Sequence, residues 1–449
     1  MGQIRRILIA NRGEIALRAL RSFHKIGRDV VCIYSKADEE AIYLEFADGG
    51  VCVGPADPAQ SYLNIPAIIT AAEVTECDAI FPGYGFLSEN QTFVEICREH
   101  GIKFLGPSLE VMELMADKSR AKEVMVQLGV PVIPGSDGIV TSVEEAREIA
   151  REIGYPIILK AAAGGGGKGM RVVEDESYLE NAFLAAQSEA NGAFGDSSIY
   201  IEKFIQNPRH VEVQLLGDKY GNVIHLGERD CSLQRRHQKV IEETPASFLR
   251  PEVRAKLLET AVRAAREIGY YSAGTMEFLV DKDQNFYFIE MNTRLQVEHP
   301  VTEIVTGVDI VEWMLRIEEG EKLPLQKSIQ FNGHGIECRI LAEDSENFIP
   351  NPGKIQKLYT PGGKDVRVDT HIYAGYIIPP YYDSLIGKLI TRGRNRQEAI
   401  ATMVEALREF KISGIKTTIP FHLKMLQNPD FLNQTFDTRY LDRLLNNSR

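Results

Sequence analysis

Ile158-Leu159-Lys160-Ala161-Ala162-Ala163-Gly164-Gly165-Gly166-Gly167-Lys168-Gly169-Met170 can be read in several ways, and the choice among them decides the fold. Backbone amides in a glycine-rich loop can wrap phosphate oxygens because no Cβ blocks their approach. Gly164, Gly166 and Gly169 match G-x-G-x-x-G, but a dinucleotide fold needs a helix next, and Met170-Arg171-Val172-Val173 reads as a strand. A P-loop needs Gly-Lys-Ser/Thr, whereas Lys168 is followed by Gly169. A protein-kinase loop carries its lysine on the following strand, whereas Lys160 precedes the glycines. The surviving reading is a strand, a glycine flap and a second strand, a hairpin that closes over a nucleotide. The alternative is a mobile surface loop, against which Lys160 and Lys168 bracket the glycines.

Around the flap, the periodicity predicts a small α+β unit between 130 and 204. It has helices at 143–154 and 179–191 and strands at 156–161, 170–173 and 199–204. Upstream, strands at 6–11, 29–34, 78–82 and 103–106 alternate with helices at 13–27, 65–77 and 90–100, the pattern of a doubly wound parallel sheet. A helical stretch at 108–129 comes next. Downstream the strands are longer and hairpin-connected, at 210–216, 223–229, 274–280 and 285–292, with a turn at 281–285. After about residue 331 come short strands and two or three helices, ending near 445.

The 449 residues suggest two to four domains at roughly 100–200 residues each. With 44% hydrophobic and 25% charged residues the composition is that of a globular chain, and disorder is excluded as a global description. Lys plus Arg is 51 against 63 for Asp plus Glu, a net charge of −12, which weighs against a nucleic-acid binder. No apolar run approaches the ~18 residues of a membrane span. The N-terminus has no signal-peptide pattern, and Arg6 breaks the myristoylation pattern. Cys32, Cys52, Cys77, Cys97, Cys231 and Cys338 form no C-x-x-C pair and sit within or beside apolar stretches, as reduced structural thiols of a cytoplasmic protein do.

Four further features bear on chemistry. Glu277 in Met276-Glu277-Phe278-Leu279 and Glu290, Asn292 and Arg294 in the run 288–300 lie on strands whose alternation puts the last three on one face. The intervening hairpin brings Glu277 toward Glu290. Two carboxylates and an amide oxygen suit Mg²⁺ bridging nucleotide phosphates. A solvated strand face is the alternative, opposed by the apolar neighbours Phe278, Leu279, Phe288, Ile289 and Met291. The run from Glu228 to Lys239 is a short cationic cluster in an acidic chain, which either receives a small anion or phosphates or salt-bridges local glutamates. Arg339 sits mid-strand in Glu337-Cys338-Arg339-Ile340, where a structural ion pair is the commoner reading. Pro82 to Asn90 comes after a strand and opens a helix, at the ligand-facing end of a doubly wound sheet.

Together these residues resemble an ATP-grasp enzyme, and within that superfamily the biotin carboxylase subunits of multisubunit acetyl-CoA carboxylases. The resemblance spans essentially the whole chain. It rests on 9–16, 82–90, 160–170, 229–239 and, most specifically, Glu290-Met291-Asn292-Thr293-Arg294 through Gln296-Val297-Glu298-His299-Pro300. It implies an N-terminal α/β domain at 1–115, an ATP-grasp region at 116–330 with a mobile lid at about 132–204, and a C-terminal antiparallel-sheet domain at 331–449. ATP would then lie between the lid and the C-terminal sheet. Its contacts would be Lys118, Lys160, Glu202, Lys203, Phe204, Ile205, His210, Gln234 and His237, with the amides of Gly166 and Gly167 over the phosphates. Glu277, Glu290 and Asn292 would hold Mg²⁺ or Mn²⁺. Lys239, Arg294, Gln296 and Val297 would bind bicarbonate, with Glu298 as its general base. Arg339 would face the biotin ureido oxygen, and Tyr84 would line the biotin site.

The resemblance further implies a reaction through carboxyphosphate, a homodimer, and partners in a biotin carboxyl carrier protein and a carboxyltransferase. The final acceptor is left open: acetyl-CoA, with pyruvate or another acyl-CoA as the alternative. A biotinylated hairpin tip reads Met-Lys-Met. The nearest run here, Leu423-Lys424-Met425-Leu426, lies in a helical stretch, so biotin is expected on a separate chain. Two competing readings are an ATP-grasp ligase joining a carboxylate to an amine and a nucleotide-binding regulator without catalysis. Arg294, Gln296, Glu298 and Arg339 weigh against the first. The joint presence of metal carboxylates, anion cluster and Glu298 weighs against the second.

Overall fold

The chain divides into two compact units in a computed structural model that describes residues 3–161, 170–194 and 196–446. One unit comprises Met1–Val124, Arg209–Phe278 and Glu290–Arg449, the other Met125–Pro208 and Leu279–Ile289.

In the first unit a five-stranded sheet runs in the order Gly49–Gly54, Asp29–Ser35, Arg6–Ile9, Ala79–Phe81, Lys103–Phe104, every neighbouring pair parallel. Both faces are covered, so Ile7, Leu8 and Ile9 are all buried: Leu8 packs into one cluster, Ile7 and Ile9 into another. The winding reverses between Arg6–Ile9 and Ala79–Phe81, and the carboxyl ends of those strands carry Asn11 to Glu14 and Pro82 to Tyr84. The Asn11 amide donates to the carbonyls of Pro82 (2.7 Å) and Tyr84 (2.8 Å). Gly83 is required there: its φ is +66°, and a Cβ would lie 2.9 Å from the Asn11 amide nitrogen.

The stretch expected as one helix over 108–129 is two, Leu109–Ala116 and Lys118–Gln127. Asp117 between them is extended, and its carboxylate accepts from the amides of Ser119 and Arg120, both at 3.0 Å. Aspartate competes for backbone donors and restarts the helix as a cap.

The larger sheet of this unit has eight strands in the order Phe286–Asn292, Ser272–Val280, Arg209–Gly217, Val223–Arg235, Gln238–Thr244, His334–Leu341, Leu385–Gly393, Val366–Thr370. The strand expected at 223–229 therefore runs six residues further and returns as a second strand. Residues 230–244 hide from a hydrophobic-period reading because their polar side chains are themselves interior: Asp230, Ser232, Gln234, Glu242 and Glu243 are all buried. A third cluster, including Leu389, Met403, Leu407, Phe421 and Phe431, packs the C-terminal helices on this sheet.

The second unit has an antiparallel sheet ordered Met170–Val173, Ile157–Ala161, Ile199–Lys203, with the helices Val143–Ile153 and Leu179–Phe194 burying Ala146, Ala150, Phe183 and Ala186 against it. Residues 279–289 join it: the Phe288 amide donates to the Pro131 carbonyl at 2.7 Å. Their turn is shaped by Asp281, whose carboxylate accepts from the amides of Asp283 and Asn285 at 2.9 Å each. Among the described residues no helix is long and apolar enough to cross a membrane, and all six cysteines are free, five buried and Cys52 exposed.

Candidate active site

The strand Arg209–Gly217 presents His210, Glu212 and Gln214 at alternate positions, all buried. Its neighbour Val223–Arg235 places Arg229 opposite Glu212. Arg229 is fully enclosed and donates to Glu212 (2.5 Å), Gln214 (2.8 Å) and Thr302 (2.9 Å). The next strand supplies Lys239, whose ammonium reaches Glu212, Glu277 (2.9 Å) and Glu298 (2.7 Å). The cationic cluster thus divides: Arg229 is a structural ion pair, Lys239 the centre of an acidic cage.

Burial penalises all of these charges, and pairing overcomes it. For Glu212, burial is the largest influence and would raise its pKa, but Arg229 and Lys239 hold it down to about 2. Glu277 is likewise pushed up by burial and brought below the carboxylate range by Lys239 and His210. Burial would lower the Lys239 pKa, but the three carboxylates carry it well above its ordinary value.

Glu298 sits in the turn before the helix His299–Thr306 with its side chain wholly enclosed. One oxygen accepts from Lys239 and the other from Arg339 at 2.8 Å. Burial and Glu212 push its pKa up; Lys239, Arg339 and Arg229 outweigh them and keep it ionised. Arg339, on the strand His334–Leu341, also donates to Glu242 at 2.7 Å. Glu242 faces Glu337 across the sheet. Burial, with Arg339 opposing it, pushes Glu242 up to about 7, and burial drives Glu337 further up.

The strand Phe286–Asn292 ends before Arg294, which does not share the strand face expected of it and instead folds back to Asn292 (2.9 Å), Gln296 (3.0 Å) and Glu89 (2.7 Å). Glu277 accepts from Asn292 (2.9 Å) and Gln296 (3.2 Å), and His210 Nε2 lies 2.9 Å from its other oxygen, off the hydrogen-bond direction. Gln234 contacts His210 Nδ1 at 2.6 Å. Glu290, partly exposed, pairs with Lys118 at 3.1 Å. The donor chemistry of Glu277, Glu290 and Asn292 fits a hard divalent cation, although Asn292 turns its nitrogen to Glu277 and its oxygen to Arg294. Two other groups converge, His210 with Glu212 and Glu277, and Glu212 with Cys231 and Glu298. The Lys239 ammonium touches all three of their carboxylates, and burial, with Glu212 beside it, keeps the Cys231 thiol protonated.

The remaining expected residues are spread over both units. Tyr84 donates to Glu14, and the Val297 carbonyl accepts from Lys388 at 2.8 Å. His237 lies at the exposed tip between Val223–Arg235 and Gln238–Thr244, where Arg236 (φ +48°) and His237 (φ +65°) both adopt a left-handed backbone. Such a turn ordinarily takes Asn-Gly, so an arginine and a histidine there are held against their preference. In the second unit Lys160 pairs with Glu202. The Lys203 ammonium donates to the carbonyls of Gly154 (3.0 Å) and Tyr155 (2.7 Å), and its backbone amide to that of Pro134 (2.7 Å). Phe204 donates its amide to Pro156 at 3.1 Å, and Ile205 is the next residue along the chain. Gly166 and Gly167 lie outside the described residues.

Sequence reasoning missed Glu212, Glu242, Glu89, Glu14 and Lys388. Glu14 and Glu89 lie in the runs 9–16 and 82–90 without a role assigned to them, and Glu212 had a signal in the His210-x-Glu212-x-Gln214 alternation inside an otherwise apolar strand.

Three family models tile the chain: "Biotin carboxylase, N-terminal domain" at 3–112, "Carbamoyl-phosphate synthase L chain, ATP binding domain" at 117–326, and "Biotin carboxylase C-terminal domain" at 337–443. A biotin carboxylase of Nostoc sp. is 54% identical, over 98% of this chain and 99% of its own. A Campylobacter jejuni biotin carboxylase, solved as a beta-gamma-ATP complex, is 62% identical over 98% of this chain and 99% of its own, with a TM-score of 0.91. The biotin carboxylase domain dimer of Hydrogenobacter thermophilus 2-oxoglutarate carboxylase, solved with MgADP, ADP and bicarbonate, is 51% identical over 99% and 98%, with a TM-score of 0.88. Matched nearly end to end by proteins of that name, with Glu298 buried between Lys239 and Arg339, the chain belongs to the biotin carboxylase family of ATP-grasp enzymes.

Proposed function

We propose that this enzyme carboxylates biotin on a separate carrier protein with bicarbonate and ATP, the first half-reaction of an acetyl-CoA carboxylase. The observation that carries the reading is the Glu298 carboxylate, enclosed and fixed between two cations. A general base needs a defined protonation state and a fixed direction, and this one has both.

In the proposed sequence, Lys239, Arg294, Gln296 and Val297 hold bicarbonate, and Glu298 takes its proton. The resulting oxyanion attacks the γ-phosphorus of ATP, the bond to ADP breaks, and carboxyphosphate forms. Carboxyphosphate divides into CO₂ and phosphate. The phosphate takes the N1 proton of biotin, Arg339 donates to the ureido oxygen as negative charge gathers there, and N1 attacks CO₂. Arg339 can do so while held, since its bonds to Glu242 and Glu298 use Nε and Nη2 and leave further N–H groups of the fork. The nucleotide contacts proposed are Lys118, His210, Gln234 and His237, together with Lys160, Glu202, Lys203, Phe204 and Ile205 and the Gly166 and Gly167 amides. Glu277, Glu290 and Asn292 would hold Mg²⁺ or Mn²⁺, which neutralises phosphate charge when bound. Tyr84 lines the biotin site in this reading.

A separate carrier is supported by Lys424, which lies within the helix Ile419–Leu426 rather than at a hairpin tip. A homodimer is proposed after the dimeric Hydrogenobacter relative. That relative also bears on the acceptor, since its name specifies 2-oxoglutarate: one catalytic body serves more than one acceptor chemistry.

The test is ATP hydrolysis with and without bicarbonate and free biotin. Cleavage should require bicarbonate and rise with biotin; bicarbonate-independent cleavage overturns the reading. Reconstitution with a biotinylated carrier and an acetyl-CoA carboxyltransferase, against a pyruvate carboxyltransferase, decides the acceptor. Covalent biotin on this chain would refute the separate carrier.

A further inference from the structure

Lys388 lies at the middle of the strand Leu385–Gly393, directly across the sheet from Arg339, and its side chain is wholly enclosed. A buried lysine is costly unless paired, and an apolar residue of similar size ordinarily serves stability as well. This one has two partners. Its ammonium donates to the Val297 carbonyl at 2.8 Å and lies 3.0 Å from Glu14 Oε1. The same Glu14 oxygen accepts from the Tyr84 hydroxyl, and the ammonium sits 5.6 Å from the centre of the Tyr84 ring. Glu14 is itself enclosed, and its other oxygen has no hydrogen-bond partner.

Val297 and Glu298 form the turn between a strand and a helix, where no ladder fixes the backbone. A peptide unit is planar and trans, so pinning the Val297 carbonyl fixes the plane that leads directly into Glu298. The preceding carbonyl, Gln296, is held separately by the His299 ring at 2.9 Å. Two successive peptides are therefore clamped immediately before the residue proposed as the base.

We propose that Lys388, with Glu14, is a positioning residue that sets the peptide carrying Glu298 and ties it to Tyr84, so that the bicarbonate-facing and biotin-facing sides of the site share one buried anchor. The inference rests on the function proposed above. In that reading neither Lys388 nor Glu14 touches substrate, and the proposal predicts a particular kinetic signature. Loss of the anchor loosens where bicarbonate and biotin are held and leaves the nucleotide contacts as they were. Misplacement of this kind in a catalytic group costs on the order of 10²-fold.

The experiment compares the wild type with Lys388→Met and with the double variant Glu14→Gln/Lys388→Met, which removes both buried charges and keeps a folded protein in hand if the single variant is unstable. Each is assayed for ATP cleavage against bicarbonate, biotin and ATP in turn. The expected result is a KM for bicarbonate and for biotin raised about tenfold or more, with the KM for ATP within twofold. A merely structural role would lower the active fraction, cutting kcat and leaving all three KM values alone; that result, in either variant, overturns the proposal. If instead the wild type shows no bicarbonate-dependent cleavage, the functional reading fails, and the two failures are told apart by the wild-type arm.

Discussion

Replacing Lys239 by methionine removes one cation from contact with Glu212, Glu277 and Glu298 while keeping the length of the side chain. Glu212 retains Arg229 and Glu298 retains Arg339, whereas Glu277 keeps only the Asn292 and Gln296 amides and the His210 ring beside it. Removing one partner of a buried pair ordinarily costs about 3–5 kcal/mol, and three carboxylates sharing the loss put the expected value at the upper end. For a unit of this size that corresponds to a fall in melting temperature of roughly 10 °C. The signs of the shifts set the pH dependence. In the wild type these carboxylates are held below their ordinary range, Glu212 at about 2, so their stabilising contribution is present above the unfolded value of 4.5 and is lost only as pH falls toward the folded ones. In the variant they lose a counter-ion, their folded values rise, and the penalty appears above the unfolded value and shrinks as pH falls back to it. Thermal melts of both proteins should therefore differ most near pH 8, with the deficit smaller by about 1–2 kcal/mol near pH 5.5. Bicarbonate-dependent ATP cleavage should fall about 10²–10³-fold at the same time. An equal melting deficit at the two pH values would refute this reasoning, because a packing defect alone is indifferent to carboxylate charge.

The base and the oxyanion donor should separate in mutants. Glu298→Gln is expected to abolish bicarbonate-dependent ATP cleavage, whereas Arg339→Ser spares much of it and loses carboxybiotin, each effect about 10²–10⁴-fold. Equal loss of both half-reactions in both variants would contradict that division. Glu290→Gln should raise the Mg²⁺ concentration needed for half-maximal ATP cleavage with the fold intact by circular dichroism; an unchanged Mg²⁺ dependence removes Glu290 from the metal site. Glu242, raised by burial to about 7, should make wild-type stability decline as pH rises from 4.5 through 7, since its protonated form favours the folded state. Glu242→Gln should flatten that decline in melts across the same window, and an identical slope in both proteins would show that another group is responsible.

Much of the architecture is legible along the chain because it is local. The parallel sheet is readable from Ile7-Leu8-Ile9 and its successors, apolar on both faces, alternating with helical periodicity. The strand Met170–Val173, directly after the glycine run, distinguishes that run from a dinucleotide loop. Glu277, Glu290, Asn292, Arg294, Gln296, Glu298 and Arg339 stand out as charged or amide residues inside apolar strands or a specific run. Legibility fails where polar residues are the interior. Residues 230–244, which extend one strand and form the next, carry no hydrophobic alternation to read, and the helix break at Asp117 depends on a cap that looks like any surface aspartate.

Strand and helix periods and backbone approach are properties of neighbouring residues, so the class of fold, the polar residue types in the site and their approximate strand faces are written along the chain. Which charge balances which is not, and the folded arrangement alone settles it. Lys239 meets Glu212 across 27 positions of sequence, Arg339 meets Glu242 across 97, and Lys388 meets the Val297 carbonyl across 91. A buried charge is tolerable only beside its counter-charge, and sheet order, not sequence separation, sets that neighbour. Hence Arg229 and Lys239, ten positions apart in one basic run, became a structural strut and the centre of the site.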